Sequence, residues 1–148
     1  DTAICFPHNF EAMHERLSAT IKYQHDKAVR AEFEKHIEER KQLEFSNSDL
    51  MIVQPKQLSD IAYEGKVLSH CVGGYAERHA KGALSIMFIR KKSEPDKPYY
   101  TMEISTSGKI VQVRGKRNIA PDKDVDALIK DYTAYLEKIF SDKRRKTA

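Results

Sequence analysis

The chain has 148 residues, 40% hydrophobic and 32% charged, which suits one domain with a real core and excludes both a pair of full domains and a disordered polymer. Its formal net charge of +4 permits a nucleic-acid partner without requiring one, and no apolar run approaches the roughly 20 residues that cross a bilayer. Two cysteines, Cys5 and Cys71, are too few for a disulfide scaffold, and no basic-then-apolar leader opens the chain. The expected setting is therefore the reduced cytoplasm, with free thiols and no membrane partner. The chain starts at Asp1 rather than Met, as a piece of a longer protein would.

The first element is a helix from about Phe10 to Gln42, with Asn9 as its cap and Phe10, Met13, Leu17 and Ile21 at helical spacing. Beyond Ile21 the apolar stripe thins to Ala28, Phe33 and Ile37 among many charges. One long solvated helix and two helices broken near Tyr23 to Asp26 both fit. Ser46-Asn47-Ser48-Asp49 reads as a turn, Leu50 to Val53 as a short strand ended by Pro55, and Leu58, Ile61, Ala62, Gly65 and Leu68 as one face of a helix. His70-Cys71-Val72-Gly73-Gly74-Tyr75 interrupts that pattern. A short helix from Tyr75 to Lys81, stopped by Gly82, leads into strands at Leu84 to Lys91, Tyr99 to Ser105 and Lys109 to Gly115. The last helix, from about Lys123 to Phe140, has Pro121 and Asp122 at its start and a full apolar stripe of Val125, Leu128, Ile129, Tyr132, Leu136 and Ile139. It is expected to pack on the sheet, with a frayed basic tail behind it. The fold class is α+β: a small antiparallel sheet of three to four strands packed with helices, a long N-terminal helix and a C-terminal helix. The organisation is a helical segment over 1–45, an α+β core over 46–142 and a basic tail over 143–148.

The second hairpin has an arguable register. If Ser107-Gly108 is a two-residue turn, Met102 lies opposite Val113 and Ile104 opposite Val111, making one apolar face. Glu103 then lies opposite Gln112, and Thr101 opposite Arg114, on the other face. A three-residue loop opposes Glu103 to Val111 and mixes the faces, so the clean segregation favours the shorter turn. The polar set is either a solvent face or the floor of a pocket, with Glu103 as acid, base or ligand contact and Arg114 as an anion clamp.

In the glycine-paired segment, Gly73 and Gly74 allow positive φ or close approach of a ligand to the backbone. A thiol just before a helix start is a candidate nucleophile, because its pKa can be lowered there. His70 and His79 are candidate bases for Cys71. Against this, a free cysteine is often a small buried apolar residue and a histidine a hydrogen-bonded structural one. Cys5-x-x-His8 and His70-Cys71 contain metal-binding residue types, but adjacent His70 and Cys71 rarely hold one zinc and no C-x-x-C pair exists, so no metal is assigned. No phosphate loop, dinucleotide fingerprint, His-Glu-x-x-His or Gly-x-Ser-x-Gly occurs, and no cofactor is assigned.

The string Leu68-Ser69-His70-Cys71-Val72-Gly73-Gly74-Tyr75-Ala76-Glu77-Arg78 closely resembles the hallmark of PcfJ-like proteins. Phe88-Ile89-Arg90-Lys91-Lys92, Pro98-Tyr99-Tyr100-Thr101-Met102-Glu103, Gln112-Val113-Arg114-Gly115-Lys116 and Asn118 continue the resemblance. It also takes in Ile4-Cys5-Phe6-Pro7 and Ala12-Met13-His14-Glu15-Arg16-Leu17, and so covers nearly the whole chain. It implies an association with conjugative plasmids, integrative elements and phages of bacteria. It marks His70, Cys71, Gly73, Gly74, Tyr75, Arg90, Thr101, Glu103, Gln112, Arg114 and Asn118 as motif positions without assigning them roles.

Three functions follow as expectations. The first is a nucleic-acid-associated accessory domain in DNA transfer or processing, binding DNA or RNA through Lys91, Lys92, Lys116 and Arg117, with tyrosines to stack on bases. The second is an enzyme acting on a nucleotide or phosphoester, with His70, Cys71, Glu103 and Arg114 as catalytic residues and Gly73, Gly74, Tyr75, Arg90, Thr101, Gln112 and Asn118 contacting the ligand. The third is a module whose long first helix docks protein partners of a conjugation or phage system.

Overall fold

The computed structural model describes residues 27–70 and 72–147. Helix α1 (Lys27–Arg40) continues into a 3-10 turn, Lys41–Leu43. Strands β1 (Phe45–Ser46) and β2 (Leu50–Val53) follow, then helix α2 (Leu58–Leu68), a 3-10 turn Val72–Tyr75 and the short helix α3 (Ala76–Ala80). Strands β3 (Ser85–Lys91), β4 (Tyr100–Ile104) and β5 (Ile110–Arg114), a 3-10 turn Lys116–Asn118 and helix α4 (Lys123–Thr147) complete the chain. All neighbouring strands are antiparallel, and the sheet of five runs in chain order. None of the described helices is long and apolar enough to cross a membrane.

The sheet has one strand more than the four expected, because Phe45–Ser46 pairs with β2 around a turn in which the Asn47 side chain accepts the backbone N–H groups of Asp49 and Leu50. The expected N-terminal helix is described only from Lys27; its first half lies outside the described residues. The part that is described is no free arm. Phe33 is buried and packs in one cluster with Leu58, Ile61, Ala76, Ile86 and Phe88. At the other end α4 runs on to Thr147, so the basic tail is helical rather than frayed.

The strands sort their side chains onto two faces. Leu50, Ile52, Met87, Ile89, Tyr100, Met102, Ile104 and Val113 point to one face, where Val125, Leu128, Tyr132 and Leu136 of α4 close the core. Asp122 caps α4 by accepting the Val125 N–H at 2.9 Å, and the Tyr99 hydroxyl donates to the same carboxylate at 2.7 Å. The opposite face carries Ile86 and Phe88 of β3 under α1, α2 and α3, and, on the neighbouring strands, the polar residues of β4 and β5.

The hairpin reaches its register by a different route from the one expected. Thr101 faces Arg114, Met102 faces Val113 and Glu103 faces Gln112, as the segregation of faces requires. Ile104, however, faces Ile110 rather than Val111. The connection is a three-residue loop: Gly108, at φ +84°, donates its N–H to Ser105, which pairs with Lys109. A bulge at Val111, which is 55% exposed, then absorbs one residue and restores the pairing beyond it.

Candidate functional site

The C-terminal end of α2 stops against the polar face of the sheet. Asp60 starts this helix by accepting the backbone N–H groups of Lys56 and Gln57. Ser69 ends it in the left-handed region, at φ 53°, and turns His70 inward. His70, Val72 and Tyr75 then form one wall of a recess whose floor is Ile86, Thr101, Met102, Glu103 and Gln112, with Arg114 and Asn118 at the side. The recess holds about 30 Å3, room for a water or two, so it takes the end of a ligand rather than a whole one.

Beneath this wall lies a chain of buried hydrogen bonds. Arg90 makes a bidentate pair with Glu64, and neither is appreciably exposed. Glu64 Oε2 also accepts the Thr101 hydroxyl at 3.1 Å. Thr101 Oγ1 lies 3.0 Å from His70 Nε2, and His70 Nδ1 faces the Val72 N–H at 3.4 Å. Burial pushes the Glu64 carboxyl up from its usual range while Arg90 and Thr101 pull it back. Burial also pushes His70 down to about 4, so its ring is neutral at physiological pH and is no cationic acid there.

The outer part of the recess is more exposed. Gln112 Nε2 donates to Glu103 at 3.0 Å and approaches the Tyr75 hydroxyl at 3.4 Å. The Arg78 guanidinium lies over the Tyr75 ring, 4.3 Å from its centroid. Arg114 donates to the Val113 carbonyl at 2.8 Å, and among the described residues it has no carboxylate partner. Lys116 and Arg117 are exposed in the turn that brings in Asn118.

Backbone strain gathers at this place. Among the described residues the only non-glycine positive φ angles belong to Ser69, Arg117 and Asn118, at 53°, 57° and 63°. Such conformations cost on the order of 1 kcal/mol each and concentrate at functional sites. Gly74 shows the converse: it is not in the positive-φ region, and a Cβ placed on it would meet nothing within 4 Å among the described residues. Among the described residues neither its backbone nor its packing demands glycine.

The structure thus brings together His70, Tyr75, Thr101, Glu103, Gln112, Arg114 and Asn118. Gly73 and Gly74 lie in the adjoining 72–75 turn. Cys71 lies outside the described residues, as do Cys5 and His8. Arg90 does not line the recess; it is held behind it by Glu64. Lys91 and Lys92 are exposed at the end of β3, with Lys91 Nζ 4.8 Å from the centre of the Tyr99 ring. His79 is fully buried elsewhere, its Nδ1 accepting the Ile86 N–H and its ring against Phe33. Among the described residues no group of three or more His, Cys, Asp or Glu side chains could hold a metal ion. Glu64 is the residue that sequence reasoning passed over. Its signal was there: a glutamate three residues after Ile61 and four before Leu68 stands on the apolar face of α2, where a lone charge needs a partner.

This is an antiparallel five-stranded sheet with helices on both faces and one polar recess under a glycine-paired turn. Residues 1–129 match the model of the PcfJ-like protein family, and the chain belongs to that family. It is also similar to the Listeria innocua protein Lin1253/Lin1744, described as uncharacterized, with 34% identity over 133 residues. That match covers 88% of this chain and 29% of the Listeria protein, so the chain spans under a third of that relative. No solved structure matches.

Proposed function

We propose that this chain is a nucleic-acid-associated accessory domain of a bacterial mobile genetic element, acting in DNA transfer or processing. One observation carries the reading. Arg114 lines the recess, and Lys116 and Arg117 are exposed in the 116–118 turn that supplies Asn118 to it; none of the three has a carboxylate partner among the described residues, whereas the neighbouring Arg90 is neutralised by Glu64. A mouth of unmatched cations beside a tyrosine suits a phosphate backbone and an unstacked base. The small recess then receives one terminal group, such as a phosphate or a hydroxyl. Binding of a fluorescent single-stranded 20-mer, followed by anisotropy, tests this. Affinity should fall steeply between about 50 and 200 mM salt, and Lys116→Ala and Arg117→Ala should each lower the salt slope by up to ~1. Absent binding, or a flat salt response, removes the proposal.

The convergence of Glu103, Gln112, Tyr75 and Arg114 favours a second reading, an enzyme acting on a nucleotide or phosphoester. Glu103 is then the acid or base and Arg114 the anion clamp. Glu103→Gln should abolish turnover of such a substrate while leaving its binding intact; unchanged turnover excludes Glu103 from the chemistry.

A further inference from the structure

The geometry points to Glu64 as a positioning residue of the recess: through the Thr101 hydroxyl it fixes which nitrogen of His70 carries the proton. Each donor in the chain has a determined direction. A guanidinium only donates, so Arg90 commits both Glu64 oxygens to accepting. The Thr101 hydroxyl has one proton, and it goes to Glu64 Oε2. The oxygen facing His70 Nε2 at 3.0 Å is then a lone pair, so Nε2 must carry the ring proton. Nδ1 is left as an acceptor, in agreement with the Val72 N–H that faces it at 3.4 Å. That last contact is long and cannot hold the ring by itself.

Four side chains, on α2, β3, β4 and the turn that follows α2, thus form one ordered relay, ending on two residues that line the recess. Arg90 and Glu64 sit behind the wall and touch no ligand there. Their effect is on the donor pattern the wall presents: His70 as a neutral ring whose Nδ1 is an acceptor turned to the Val72 N–H, and Thr101 with its proton turned away from the cavity. A buried ion pair contributes little net stability compared with an apolar pair of similar volume. Fixing a polar network in one arrangement is the use that remains for it here.

Ring 15N shifts of His70, read at pH 7 on the full chain without ligand, test the inference. Native protein should show His70 in the Nε2–H form, and Thr101→Ser, which keeps the hydroxyl, should show the same. Thr101→Val keeps the shape and removes the relay, so the ring should move to a mixture of both tautomers. Glu64→Leu combined with Arg90→Met removes the acceptor without stranding a charge, and should do likewise in a chain that still gives a native amide spectrum. If His70 keeps the Nε2–H form undiluted in either of the last two, the Val72 contact alone sets the tautomer and the inference is overturned. The measurement uses no nucleic acid, so its failure is separate from failure of the binding proposal.

Discussion

Under α4 the sheet presents Ile, Leu, Met, Tyr and Val, whereas on its other face the same strands place Arg90, Thr101, Glu103, Gln112 and Arg114 beneath α2 and the 72–75 turn. The first face is closed chiefly by burial, at roughly 25 cal/mol for each Å2 of apolar surface removed from water, with tyrosine hydroxyls such as that of Tyr132 donating to backbone carbonyls at its edge. The second is closed by hydrogen bonds that must all be made, because a polar group left unpaired in a low dielectric costs far more than a made bond contributes. A strand can serve both faces because its side chains alternate, so the packing of Met102 says nothing about the chemistry of Thr101 and Glu103.

The contrast is broken most severely at the polar face, by removing half of its ion pair. Glu64→Ala leaves Arg90 buried without its partner and should cost about 3–5 kcal/mol, read from urea unfolding. On the apolar face Leu128→Ala deletes a fully buried side chain and should cost about 2–4 kcal/mol, the usual range for a cavity in a closed core. The two differ in their remedy. A second change, Arg90→Met, should recover most of the stability lost at Glu64, while no single change on the sheet should recover Leu128→Ala. Failure of that rescue would mean that Arg90 stabilises through its stacking on Phe88, 4.6 Å away, rather than through its charge.

The polar face should also make stability depend on pH. Burial holds His70 at about 4 in the folded chain against 6.5 when exposed, so between those values the unfolded chain binds a proton that the folded chain refuses. Stability therefore rises with pH across that window and levels off above it, with a slope approaching about 1.4 kcal/mol per pH unit for one such group. His79, pushed down by its own burial, tilts the curve the same way, and Glu64, pushed up by burial, tilts it the other way. The contribution of His70 is read as the difference between the native chain and His70→Gln, whose curve should be flatter between pH 4 and 6.5. Parallel curves would place His70 in contact with water.

Much of this was legible in the sequence where a local rule decides it. Helical spacing marked the stripe of α4, the alternation in β4 and β5 gave the pairing of Glu103 with Gln112, and the pooled polar residues marked the recess. What stayed hidden depends on the chain folding back. Nothing near Phe45 announces that two residues suffice for an edge strand, and nothing near Val111 announces a bulge that compensates a longer loop. The partner of Arg90 is 26 residues earlier, on a helix whose periodicity reads as apolar. A pattern search weighted toward hydrophobic positions passes over Glu64 because it breaks the stripe, and that break is the clue to its role.

The smallest effects on stability belong to the recess itself, where the two faces should diverge most in function. Arg114→Gln removes a charge with no carboxylate partner among the described residues and should change unfolding free energy by less than about 1 kcal/mol, while weakening binding of the single-stranded 20-mer. Gly74→Ala sharpens the test further. The added methyl meets nothing among the described residues and φ need not change, so the substitution should be neutral or stabilising by up to about 1 kcal/mol. If binding falls in a chain that is as stable as before, the methyl occupies space that belongs to the ligand. If both stability and binding are untouched, Gly74 makes no close approach to nucleic acid, and the contact surface moves toward Lys116 and Arg117, away from the 72–75 turn.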